Sequence, residues 1–186
     1  MNDFKFEKFV EEWAMIYKPM QHNRQNNVRF FVTDSYYSLV PLIQGTQSLH
    51  SPIVMIESSM DGVVDGKFDH PTYAVYMLSQ SKDMRDGYSA IIAKREAKQC
   101  LFNLLNLMRA FQDGSDMLAY IPFPEGGYMQ ELYAKIQAGT PVLTALNLDV
   151  SYQTVGEMFD GWQGVYTTID DTVAYDRCIE PSMYNL

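Results

Sequence analysis

The side chains able to do acid–base, nucleophilic or metal chemistry are few in this chain, and their spacing matches no known arrangement. His22, His50 and His70 fall in expected loops, outside any metal-ligand or nucleophile spacing. Cys100 and Cys178 are too far apart for a zinc knuckle or a disulfide framework. Cys100 lies in a helical pattern and Cys178 in a strand-like one, so both are expected as small buried apolar groups rather than reactive thiols. The run Asp61-Gly62-Val63-Val64-Asp65-Gly66, with Asp69 and His70 close behind, places carboxylates near an imidazole. It lacks the alternating oxygen ligands and distal Glu of a calcium loop, so tight turns at a hairpin tip are expected there. Gly126-Gly127 is followed by no lysine, and Glu125 would repel a phosphate. These residues point to no metal, no cofactor and no catalytic group. A triad needs no adjacency in sequence, however, so a small enzyme of unknown chemistry stays open as an alternative.

Charge is the stronger signal. Residues 1–112 carry 12 acidic and 12 basic side chains, whereas 113–186 carry 11 acidic and two basic, Lys135 and Arg177. The whole net charge of -9 therefore comes from the C-terminal part. Such a surface repels nucleic-acid phosphates and suits basic partners. Asp149, Glu157, Asp170 and Asp171 are the candidate acidic patch, lining a lumen or docking a partner. A hydrophobic fraction of 47% with 20% charged residues fits one folded domain over 1–186 rather than a disordered chain. No stretch approaches the ~20 apolar residues of a membrane helix, and the N-terminus lacks a signal-peptide layout, so synthesis in the cytoplasm is expected.

The elements follow from periodicity. Phe6, Phe9, Val10, Trp13, Ile16 and Tyr17 share one helical face, with Asn2 or Asp3 as cap and Pro19 as the stop. That face covers the domain's own sheet or packs on a neighbouring subunit. Arg29–Thr33, Ile53–Ile56 and Thr72–Leu78 have strand character, the last as a central strand with apolar residues on both faces. A long helix within Asp83–Gly114 presents Ala97, Leu101, Leu104 and Met108 to the core. Tyr88, Ile91, Ile92 and Phe102 fall off that arc. Either 88–92 belong to a turn before a shorter helix, or the helix has a second covered side. Pro122, Phe123 and Pro124 lie in a Pro/Gly-rich stretch, 115–140, expected as an inserted arm or loop with a short helix from Tyr128 to Gln137. With the off-arc set they are the candidate interface. Val142–Thr154 alternates like a long antiparallel strand, and Val165–Ile169 and Thr172–Cys178 are further strands. Phe159 and Trp162 anchor the bend between them or stand exposed for a partner. The fold class expected is α+β: a mixed, mainly antiparallel sheet packed by an N-terminal helix and one long central helix.

That order of elements is similar to the bacteriophage tail-terminator and head–tail completion family. The likeness spans Asp3 to about Cys178: the opening helix ending at Pro19, the strand Thr72–Leu78 leading into the helix that ends at Gly114, and the terminal strands from Val142. The resemblance implies a non-enzymatic virion subunit without cofactor, made in the host cytoplasm. It implies a homo-oligomeric ring, a hexamer or dodecamer, meeting portal, connector or tail proteins. DNA would pass nearby without specific binding, and no membrane is involved. An acidic adaptor or DNA mimic that binds a basic protein is the other alternative.

Overall fold

The computed structural model describes residues 5–46, 49–65, 68–83, 85–157, 160–171 and 173–174. Asn2, Asp3, Phe159, Arg177 and Cys178, and most of the strand expected over Thr172–Cys178, lie outside the described residues. In chain order the elements are α1 (Phe6–Ile16), β1 (Val28–Thr33), α2 (Leu39–Gly45), β2 (Leu49–Asp65), β3 (Phe68–Gln80), α3 (Gly87–Asp113), α4 (Tyr128–Gln137), β4 (Tyr152–Val155), β5 (Trp162–Asp170) and β6 (Val173–Ala174). The fold is α+β.

The sheet runs β1-β2-β3-β5-β4, with β6 pairing β3. β1 pairs β2 in parallel, and every other pairing is antiparallel. Parallel neighbours need a crossover, supplied here by a 3-10 turn at Tyr36–Ser38 and by α2. α2 is not among the expected elements, and Pro41 stands inside it. A proline in the first helical turn removes no intrahelical hydrogen bond.

β3 sits between β2 and β5, as its two apolar faces require. Val75 and Met77 point into one core with Val54, Ile56, Val165 and Ile169, while Tyr76 and Leu78 point into a second with Phe31, Ile43, Ile53, Met55 and Trp162. α1, α3 and α4 cover the first face. Phe6 stacks on Tyr73 at 4.3 Å, Phe9 meets Phe111 edge-on at 5.3 Å, and the Trp13 indole donates to Asn103 Oδ1 at 2.9 Å. The stripe of α1 thus covers the domain's own sheet. Leu104 is fully buried in that core. We expect Leu104→Ala to lower stability by about 2–5 kcal/mol, measured by chemical denaturation, the range for a large-to-small change in a packed interior.

Three local expectations are corrected. Asp61–Gly62 is not a turn, for it lies within β2, where the pairing with β3 shifts register between Ser58 and Gly62. His50 and His70 lie on β2 and β3 rather than in loops. Most of Val142–Thr154 is not a strand: regular pairing begins only at Tyr152. Leu143 takes a positive φ of 56°, which no strand accommodates. Three of the segment's carbonyls accept from side chains of α3 rather than from a neighbouring strand. Gln112 donates to the carbonyls of Leu143 and Leu146, both at 3.1 Å, and Arg109 to that of Leu148 at 2.8 Å. Val142, Leu143, Leu146 and Leu148 are buried all the same, so the alternation records burial under a loop.

Candidate functional site

α3 positions most of the candidate residues. Asp86 caps it, accepting from the backbone N–H groups of Tyr88 (2.9 Å) and Ser89 (3.2 Å), and Gly114 closes it with φ 64°. The helix is continuous from Gly87, so 88–92 form no separate turn. Tyr88, Ile91 and Ile92 are 64%, 48% and 50% exposed and form one apolar spot on its first two turns. Phe102, 42% exposed, is different. Its ring meets Tyr152 edge-on at 5.7 Å, and Lys98 Nζ lies over both rings, 5.2 Å from Phe102 and 4.9 Å from Tyr152. That cation–π arrangement ties α3 to β4 within the chain.

The Pro122–Pro124 loop does not join this spot. Phe123 packs on Phe111 and Tyr133, each at 5.5 Å, and the Pro124 carbonyl accepts from Gly127 N–H at 2.9 Å. Phe111 belongs to the far end of a helix that spans about 40 Å at its usual rise. Within the expected arm, Leu118, Tyr128, Met129 and Leu132 are buried in the main core. Pro122 is left exposed. The candidate interface therefore divides into an apolar spot on α3 and an inward-packed loop.

The acidic patch loses one member. Asp149, Glu157 and Asp170 are exposed. Asp149 lies 3.9 Å from Arg109, and Asp170 accepts from Thr72 Oγ1 at 2.8 Å. Asp171 is only 3% exposed: the chain runs on from β5 to β6 along β3 in one register, the Asp171 N–H donating to the Pro71 carbonyl at 3.0 Å, so its side chain takes the face opposite that of Asp170. It offers nothing to a partner.

A polar cluster absent from the sequence reading sits between β1, β2, β3 and α3. The Ser79 hydroxyl donates to Glu96, so the 2.8 Å contact between Ser51 and Ser79 has Ser51 as donor. Ser51 in turn accepts from Gln80 N–H at 2.9 Å. Arg29 donates to the carbonyls of Pro19 (3.0 Å), Pro52 (3.4 Å) and Ser51. Burial, helped by Glu96, pushes the Cys100 thiol up to about 12. Burial, then Cys100 and Glu96, push the Tyr17 phenol to about 12 as well. Such a thiol stays protonated at neutral pH and is no nucleophile. Glu96 also lines a groove of about 680 Å³ with Gln80, Lys82, Asp83, Ser89 and Arg95, a wall of both charges. The only signal in the sequence was polar residues interrupting apolar runs: Arg29 inside Val28–Thr33, and Ser79 after Leu78.

Among the described residues, no group of three or more His, Cys, Asp or Glu side chains is placed to hold a metal ion, and no helix is long and apolar enough to cross a membrane. No family model matches the chain, and no curated protein matches it in sequence.

Proposed function

We propose that this chain is a non-enzymatic structural subunit of a bacteriophage virion, one copy in a ring at the head–tail connector or tail. The observation that carries this reading is the apolar spot Tyr88–Ile91–Ile92. It contributes nothing to the chain's own core, and it sits on a rigid, capped helix. Exposed apolar side chains clustered on one element mark a surface for another protein. A ring requires a heterologous contact, in which this spot meets a different surface on the next copy. The opening helix and the strand Thr72–Leu78 leading into the long helix, two of the elements on which the resemblance rests, support the same reading. The exposed carboxylates Asp149, Glu157 and Asp170 suit a wall past which DNA moves without adhering.

The test is the double substitution Ile91→Asp with Ile92→Asp, read by light scattering and negative-stain microscopy. The wild-type chain is expected to form closed rings. The variant is expected to stay monomeric with an unchanged melting curve, since exposed sites seldom move stability by more than about 0.5 kcal/mol. A variant that still forms rings removes α3 from the contact. A wild-type chain that stays monomeric, alone and mixed with portal or tail proteins, sinks the ring.

A further inference from the structure

His22 is nine-tenths buried, and its Nε2 finds no hydrogen-bond partner among the described residues. It stands where α1 hands over to β1. Its backbone N–H donates to the Ala14 carbonyl at 2.8 Å, and its Nδ1 accepts from Arg29 N–H at 3.1 Å. The imidazole lies 6.0 Å from the Phe30 ring. The charged groups around it come from each element packed there. α1 supplies Glu11, whose Oε1 is 3.8 Å from Nε2. The connecting turn supplies Arg24, which grips Glu11 with two bonds of 2.6 and 2.7 Å. β1 supplies Arg29, whose guanidinium faces away toward the carbonyls of Pro19 and Ser51.

This geometry fixes the tautomer. An Nδ1 that accepts leaves the single proton on Nε2, so a second proton has only Nδ1 to occupy, where Arg29 N–H already points. We propose that His22 is an acid-released latch holding the start of β1 against the end of α1. The protonated ring loses the Arg29 hydrogen bond and is drawn by charge toward Glu11, in competition with Arg24. Release acts beyond the junction, because the same Arg29 clamps the carbonyls of Ser51 and Pro52 at the start of β2. Burial sets the His22 value below its ordinary one, with Glu11 and the Asn27 backbone pulling the other way and Arg24 adding to the lowering. The folded value is thus the lower of the two. The latch is fully engaged above the unfolded value of about 6.5 and is lost as pH falls through the folded value.

Amide hydrogen exchange in the whole chain tests this, followed from pH 7.5 downward across the range in which the His22 ring protonates, as read from its nitrogen shifts, after correction for intrinsic exchange. The comparison is with His22→Asn, whose Oδ1 keeps an acceptor near the position of Nδ1 but does not titrate. We expect roughly ten-fold loss of protection at Arg29 across the two pH units centred on that protonation in the wild type and little change in the variant, since the ring's charged fraction rises about ten-fold over that interval. Equal pH dependence in the two proteins overturns the latch. Should the variant fail to fold, imidazole nitrogen chemical shifts of the wild type decide. An Nε2–H tautomer at pH 7.5 that protonates as Arg29 protection falls upholds the proposal. An Nδ1–H tautomer, or a ring still neutral when protection is lost, overturns it.

Discussion

Replacing Gly164 with Ala is expected to keep β5 from docking on β3. Gly164 stands opposite Leu78 in the centre of the sheet. A Cβ at that position would lie 1.9 Å from the Met77 carbonyl oxygen and 3.0 Å from Leu78 Cα. Both contacts are with backbone, which no change of rotamer can relieve. β3 cannot retreat, because β2 holds its other edge over the register from Ile53–Leu78 to Glu57–Ala74. The strands must therefore separate locally, with loss of ladder hydrogen bonds and of the packing of Trp162 and Val165. A loss above about 4 kcal/mol places the change among the exceptional substitutions and takes up much of a domain's 5–15 kcal/mol. In a chain of this size it corresponds to a fall in melting temperature of roughly 10–15 °C, measurable by circular dichroism, or to insoluble protein. A fall under about 3 °C would show that the two strands move apart easily.

Glu12→Ala is expected to detach the start of α4. Glu12 lies on α1 yet is buried, and its two carboxylate oxygens accept from Tyr128 N–H at 2.6 Å and Met129 N–H at 2.7 Å. These belong to the first turn of α4, whose preceding residue, Gly127, provides no side-chain cap. A residue 116 positions away in the chain thus does the work of an N-cap, and its charge complements the helix dipole. Removing it strands two buried N–H donors at about 1–3 kcal/mol each. Glu12→Gln should be milder, because the amide oxygen keeps one bond while its NH₂ faces the second donor. Chemical denaturation of both variants, with exchange at Tyr128 and Met129, checks the order. Equal losses in the two would assign the effect to packing rather than to the cap. Gly127 shares the arrangement, since a Cβ there would come within 3.0 Å of Glu12 Oε2 and 2.9 Å of the Pro124 carbonyl.

The sequence revealed those parts of the fold whose periodicity and burial agree. The three- and four-residue spacing of Phe6, Phe9, Val10 and Trp13, the doubly apolar Thr72–Leu78, and the arc of Ala97, Leu101, Leu104 and Met108 all correspond to buried surface. The alternation from Val142 misled because Gln112 and Arg109 supply from the side the hydrogen bonds that a neighbouring strand would have given. Pattern alone does not record who the donor is. The site was legible only in part. Tyr88, Ile91 and Ile92 stood off the arc and are exposed, while Phe102 carried the same signal and finds Tyr152 and Lys98. Asp171 is buried although its neighbour Asp170 is not, because successive residues of an extended chain face opposite sides of the sheet. Glu12 and His22 could not have been found, because each acts through a partner that chain topology alone brings near.

The place of β5 in the sheet also bears on how the protein is made. β2 and β3 are consecutive and can pair as soon as both leave the ribosome. The other edge of β3 waits for a strand roughly 90 residues further on, an interval of roughly 5–20 s at ordinary rates of synthesis. During that time Val75 and Met77 lack Val165 and Ile169, and the strand that is central in the finished sheet has an edge open to foreign pairing. α1, α3 and α4 are already synthesised by then and can shelter one face, but none of them supplies a ladder. The hazard in the life of this chain therefore falls between the translation of β3 and that of β5.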